Sequence, residues 1–240
     1  MKTIRNLFKR DKEEFNIPKS IQDTIPVNRI WKDGIFLLGK DKYSKTYRFT
    51  DINYAVASRN DKEAMFLNYS ELLNSLDSSA TSKITILNRR LNKVDFEKNI
   101  LLPKANDNLD KYRDEYNRML IEQATNSNSM VQEKFLTISI NKNSLDEARQ
   151  YFTRISAELN NRFRELGSKV ESLSANERLR VIHDFYRVGE ESIFNFDMID
   201  NMRKGHSFKD YICSDSLSFE KDYFEYGNRY GRVLYLKEYA

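Results

Sequence analysis

Residues 135–167 read FLTISINKNSLDEARQYFTRISAELNNRFRELG, and the change of period inside this stretch decides the fold. Phe135, Leu136, Ile138 and Ile140 follow the two-residue alternation of a strand. Ser144, three residues before Glu147, then opens a helix with a capping box. Its apolar stripe runs Leu145, Ala148, Phe152, Ile155, Leu159, Phe163, Leu166 and stops at Gly167. A strand and a helix that are each apolar on one side bury those sides against each other, which is the layered logic of an α+β domain.

Upstream, Ile35–Leu38 and Thr46–Ala57 read as strands of a hairpin, the second carrying Tyr47, Phe49, Ile52, Tyr54 and Val56. Residues 61–76 place Met65, Phe66, Tyr69, Leu72, Leu73 and Leu76 at helical spacing, with Asn60 as N-cap and Glu63 three positions on. Lys83–Leu91 reads as a strand buried on both faces for half its length. Asp107–Gln123 is a helix carrying Leu109, Tyr112, Tyr116, Met119 and Leu120, and it gives way to a polar loop at Thr125–Ser129. Downstream, Ser174 with Glu177 is a second capping box, opening a helix through Leu179, Ile182 and Tyr186 to Gly189. Residues 190–210 are weakly patterned. Phe219–Tyr226 and Arg232–Tyr239 read as aromatic-rich strands joined through Gly227–Gly231. The expected architecture is α+β: an antiparallel sheet covered by helices, ferredoxin-like with an inserted helix, ending in an aromatic-rich hairpin. Residues 1–24 form a basic lead-in and 25–240 the folded domain.

Composition excludes several classes. The chain has 240 residues, 40% hydrophobic and 12% aromatic against 32% charged, too apolar for a disordered chain. Seven Gly and three Pro leave few tight turns. Cys213 is the sole cysteine, so no internal disulfide forms and a reducing compartment fits. No apolar run exceeds four residues, far short of the about 20 a membrane-spanning helix needs. The net charge of +4 equals that of residues 1–12 alone, leaving a balanced body without the basic footprint of a nucleic-acid binder. Met1–Arg10 reads as an amphipathic helix whose Lys2, Arg5, Lys9 and Arg10 suit an anionic membrane surface.

No catalytic, cofactor or metal constellation emerges. Gly34 to Asp41 matches the first seven positions of a phosphate-binding loop, but its middle is four bulky strand formers. Asp41 stands where a magnesium-binding hydroxyl belongs, and a strand follows where a helix is needed. His183 and His206 lack companions at ligand spacing, His183 reading as a helix-surface residue. Cys213 reads as a small buried hydrophobe. The acidic pairs Glu13-Glu14 and Glu190-Glu191 read as solvated faces. For nucleic acid the candidates are Arg89, Arg90 and Lys93 at a basic strand end, with the aromatic residues of 211–239 as stacking surfaces.

Several stretches in order resemble one family. They are Tyr43 with Tyr47-Arg48-Phe49 and Asp51-Ile52; Tyr69-Ser70-Glu71-Leu72-Leu73-Asn74-Ser75-Leu76; Ile84-Thr85-Ile86-Leu87-Asn88-Arg89; and Asp146-Glu147-Ala148. Leu166-Gly167-Ser168, Leu173-Ser174 with Glu177-Arg178-Leu179, Lys209-Asp210-Tyr211-Ile212 and Arg232-Val233-Leu234-Tyr235-Leu236 before Tyr239 complete the set. In combination, from about Ile25 onward, these resemble the N-terminal domain of the VirB-four-type conjugal-transfer ATPase of type IV secretion systems, carried by mobile elements of low-GC Gram-positive bacteria. Ser214 departs, standing where relatives commonly show Pro. The resemblance implies a non-catalytic assembly and partner-docking domain at the cytoplasmic face of the plasma membrane. It implies inner-membrane secretion components, the protein's own motor domain and further copies of itself as partners. ATP and magnesium are implied only for a C-terminal motor domain, so the 240 residues are expected to be an N-terminal portion without ATPase activity. A DNA-binding module is the alternative expectation, and a stand-alone nucleotide-binding enzyme using Gly34–Asp41 a distant third.

Overall fold

The computed structural model describes residues 18–52, 54–90, 100–126, 130–191 and 193–235. The chain divides into two compact units, Val27–Ile212 and a smaller one drawn from the residues on either side of it.

In the larger unit, β1 (Arg29–Ile30), β2 (Phe36–Leu38), β3 (Lys42–Phe49), α1 (Arg59–Asn74), β4 (Thr81–Arg90), α2 (Asp110–Asn126) and β5 (Met130–Asn141) are followed by α3 (Leu145–Glu165), β6 (Val170–Ser172), α4 (Ala175–Tyr186) and α5 (Met198–Lys204). The strands form one antiparallel sheet in the order β1-β2-β3-β5-β4, with β6 also on β3. β2 pairs with Lys42–Ser44 and β6 with Tyr47–Phe49, so the two short strands divide one edge of β3 between them. From β3 onward the order β6-β3-β5-β4 and the connections β3-α1-β4, β5-α3-β6 are those of a ferredoxin-like split βαβ. Helix α2 is the insertion, placed between β4 and β5 where that fold has a plain hairpin.

The core forms because β3 and β5 pair in register over eight residues, setting Tyr43 and Tyr47 beside Ile140 and Leu136 on one face. Against them α3 packs Ala148, Phe152, Ile155, Leu159 and Phe163, all buried. Ser144 Oγ accepts from the Glu147 N–H at the start of α3, and Gly167 takes φ +72° just past its end. The opposite face buries Phe36, Ser44 and Phe135, and α4 is fastened there by Arg178. Arg178 Nη1 donates to the Gly34 carbonyl at 2.7 Å and the Ser44 carbonyl at 2.8 Å, Nη2 to Ser44 Oγ at 3.1 Å, and the guanidinium lies 3.8 Å from the Phe36 ring centre. Burial pushes its pKa down. The capping box of Ser174 and Glu177 is complete.

Several boundaries differ from the sequence reading. β3 runs over Lys42–Phe49 rather than Thr46–Ala57, since β5 and β6 offer pairing partners only as far as Phe49; Tyr54 and Val56 lie exposed outside the sheet. α1 starts two residues early because Ser58, not Asn60, is the N-cap and accepts from the Asp61 N–H. β4 is not buried on both faces but forms the outer strand, with Ile84 and Ile86 exposed. α5, capped by Asp197 and ended by Gly205 at φ +68°, lies in the weakly patterned stretch. The expected helix over Met1–Arg10 lies outside the described residues.

The smaller unit holds a 3-10 turn at Gln22–Thr24 and a separate antiparallel sheet of β7 (Leu217–Phe219), β8 (Phe224–Tyr226) and β9 (Arg229–Gly231). This is the aromatic-rich ending with shorter strands than expected: the second turn comes at Gly227 (φ +54°), and Arg232–Tyr235 form no strand.

Candidate docking surface

The helical spacing in α1 is real, but its apolar side chains are not spent on the core. Only Leu72 is buried, while Phe66 is 67% exposed and Leu67, Tyr69 and Leu73 are exposed with it. The helix rests on the flank of α3 through ion pairs at its C-terminal end, Arg162 to Glu71 at 2.9 Å and Arg154 to Asp77 at 3.1 Å. Because Leu72 joins the same cluster as Leu136 and Ile138, α1 lies over the face of the sheet that α3 covers.

Strand β4 adds to that face. Ile84 is registered opposite Leu136 and Ile86 opposite Lys134, so both isoleucines share the face of the core, yet they are 47% and 56% exposed. One edge of β4 pairs with β5 over ten residues; among the described residues no strand pairs with the other. Apolar side chains left in water on a helix and on an edge strand are the kind of feature that contact surfaces use.

The inserted helix α2 repeats the pattern. Leu109, Tyr112, Tyr116 and Met119 are exposed, Tyr112 at 66%. The segment is held by local polar contacts: Asn117 exchanges two hydrogen bonds with the Leu102 backbone at 2.9 Å, and Lys104 pairs with Asp114 at 2.9 Å. Arg113 bridges Asp107 and Asp110. Its hydrogen bond and that of the Leu109 N–H hold the Asp107 carboxyl below the usual range; for Asp110 the Ala105 N–H does most.

Of the expected nucleic-acid contacts, Arg89 alone has a side chain among the described residues. Arg89 Nε donates to Glu133 Oε2 at 2.8 Å, with both side chains mostly covered, so its charge is matched within the sheet. Arg90 pairs through its backbone with Met130. Lys93, and the expected membrane contacts Lys2, Arg5, Lys9 and Arg10, lie outside the described residues. Gly34–Asp41 is strand, turn and strand: Phe36–Leu38, a bend with Gly39 at φ +72°, then β3. The chain leaves this bend as strand β3, where a phosphate-binding loop would lead directly into a helix.

His183 corrects the sequence reading. It is buried rather than on the helix surface, with Nδ1 3.2 Å from Asp184 Oδ1 and its ring 5.0 Å from that of Phe194. His206 is exposed after Gly205, and Cys213 is buried. Glu190 pairs with Arg187 at 2.8 Å, and Glu191 accepts from the Gly189 N–H. Among the described residues no group of three or more His, Cys, Asp or Glu could hold a metal, and no helix is long and apolar enough to cross a membrane. Sequence reasoning missed Arg178, the residue directly after the capping box of Ser174 and Glu177 and the buried fastener of α4. It also missed the exposure of the α1 and α2 stripes, since spacing reports a face and not what covers it.

No protein-family model and no curated protein sequence matches the chain.

Proposed function

We propose that this chain is a non-catalytic assembly domain of a VirB-four-type secretion ATPase, working at the cytoplasmic face of the plasma membrane in conjugative DNA transfer. The observation that carries the assembly role is the apolar exposure on α1 and on the outer strand β4, where Phe66, Tyr69 and Leu73 of the helix, and Ile84 and Ile86 on the core-side face of the strand, remain in water. The family resemblance from Ile25 onward supports the placement in a type IV secretion system. On this reading the partners are further copies of the chain, inner-membrane components and the protein's own motor domain, to which ATP and magnesium belong. Lys2, Arg5, Lys9 and Arg10 would add an electrostatic contact with anionic lipid. The ion pair of Arg89 with Glu133 weighs against DNA binding at that strand end. Light scattering coupled to size exclusion, with and without anionic liposomes, tests the reading. A defined oligomer or recruitment to the liposomes is expected, and a lipid-indifferent monomer would overturn it.

A further inference from the structure

The outer edge of β4 has the properties of a two-fold interface. It is ten residues long and, among the described residues, unpaired on one side, so it presents a row of N–H and C=O groups on alternate residues. Its exposed isoleucines sit at positions 84 and 86, on the face that carries α1.

We infer that β4 pairs antiparallel with β4 of a second copy about a two-fold axis at Thr85, joining two six-stranded sheets into one; this rests on the assembly reading above and names its partner and register.

The register follows from the side chains. A two-fold axis perpendicular to the sheet keeps the α1 faces on one side, and it requires opposed residues to share a face. With Thr85 opposite Thr85, Ile84 lies opposite Ile86 twice, placing four isoleucines in one apolar cross-strand cluster. Lys83 then lies opposite Leu87, and Arg89 opposite Thr81. Sliding the axis to Ile86 would set Ile84 against Asn88 and so separate it from its apolar partner, besides bringing Lys83 opposite the Arg89–Glu133 pair. A second copy fits this edge because the same ten residues supply both the apolar pair and the absence of opposed cations.

Single cysteines in the full chain test it, with Cys213 buried and out of reach. Opposed residues of an antiparallel pair have Cα atoms about 4.5–5.5 Å apart, within disulfide range. Copper-phenanthroline oxidation should therefore link Thr85→Cys into a covalent dimer. Ser82→Cys, six residues and about 20 Å from its own copy, should not link. Ile86→Lys, at an exposed position that preserves the fold, should weaken self-association by about tenfold or more, because each dimer loses two apolar contacts. Self-association or liposome recruitment without a Thr85→Cys link, or association unmoved by Ile86→Lys, would overturn the edge pairing and leave the assembly reading standing. A lipid-indifferent monomer would overturn both.

Discussion

Gly34 and Tyr47 show how single residues constrain the larger unit. Gly34 takes φ +78°, and a Cβ there would lie 1.9 Å from the Leu173 carbonyl oxygen, a contact with backbone that cannot swing aside. Gly34→Ala combines left-handed strain with displacement of the segment leading into α4. It should cost about 3 kcal/mol, read as a lower urea midpoint at unchanged slope. Tyr47 is almost fully buried and its hydroxyl is 3.0 Å from Ser156 Oγ. Burial pushes its pKa up to about 12, with the Ser156 hydrogen bond partly opposing. The folded state therefore keeps the proton that the unfolded chain releases near pH 10. That stability is fully present below pH 10 and is lost as pH rises toward 12, by about 1.4 kcal/mol per unit. Urea titrations from pH 9 to 11.5 should show this fall in the wild type and a shallower one in Tyr47→Phe. In the sequence Tyr47 was legible as an inward strand residue. Arg178 was not, because nothing local tells a buried guanidinium from a solvated one when its acceptors, Gly34 and Ser44, lie more than 130 residues away.

Among the elements, α1, α2 and α3 share one apolar spacing and meet three different fates. α3 is covered along its whole stripe, α1 at Leu72 alone, and α2 leaves its stripe in water. The difference should appear in paired substitutions. Ile155→Ala removes a side chain that is 1% exposed and should cost about 2–5 kcal/mol in urea denaturation. Tyr116→Ser, on the exposed face of α2, should change stability by no more than about 0.5 kcal/mol. The caps at Ser144 and Ser174 were legible because a cap is a local contact three residues long. The early end of β3 was not: Ile52, Tyr54 and Val56 continue the alternation, but a strand ends where its partners end.

At the scale of the whole molecule, two kinds of surface interaction separate by salt. Self-association through Ile84, Ile86 and the α1 face is apolar, whereas attraction of the basic N-terminus to anionic lipid is Coulombic. Raising the salt from 0.05 to 0.5 M shortens the screening length to a few ångströms. Light scattering should therefore show the oligomer unchanged, while liposome co-sedimentation falls severalfold; a salt-labile oligomer would argue for charge pairing instead. Each outcome reports on the chain's use of its surface independently of the stability of its core.

The sequence by itself determined the α+β class, the long helices and the caps at Ser144 and Ser174, because periodicity and capping are contacts among neighbours along the chain. It also carried the bulky, Asp-ended character of Gly34–Asp41, which sterics and charge set against phosphate. Only the tertiary structure decided that β4 is the outer strand, that α1 and α2 keep apolar faces in water, that Arg89 is matched by Glu133 and that His183 is inside. Those facts depend on which elements become neighbours across long separations in sequence, and an apolar stripe has the same spacing whether another element covers it or water does.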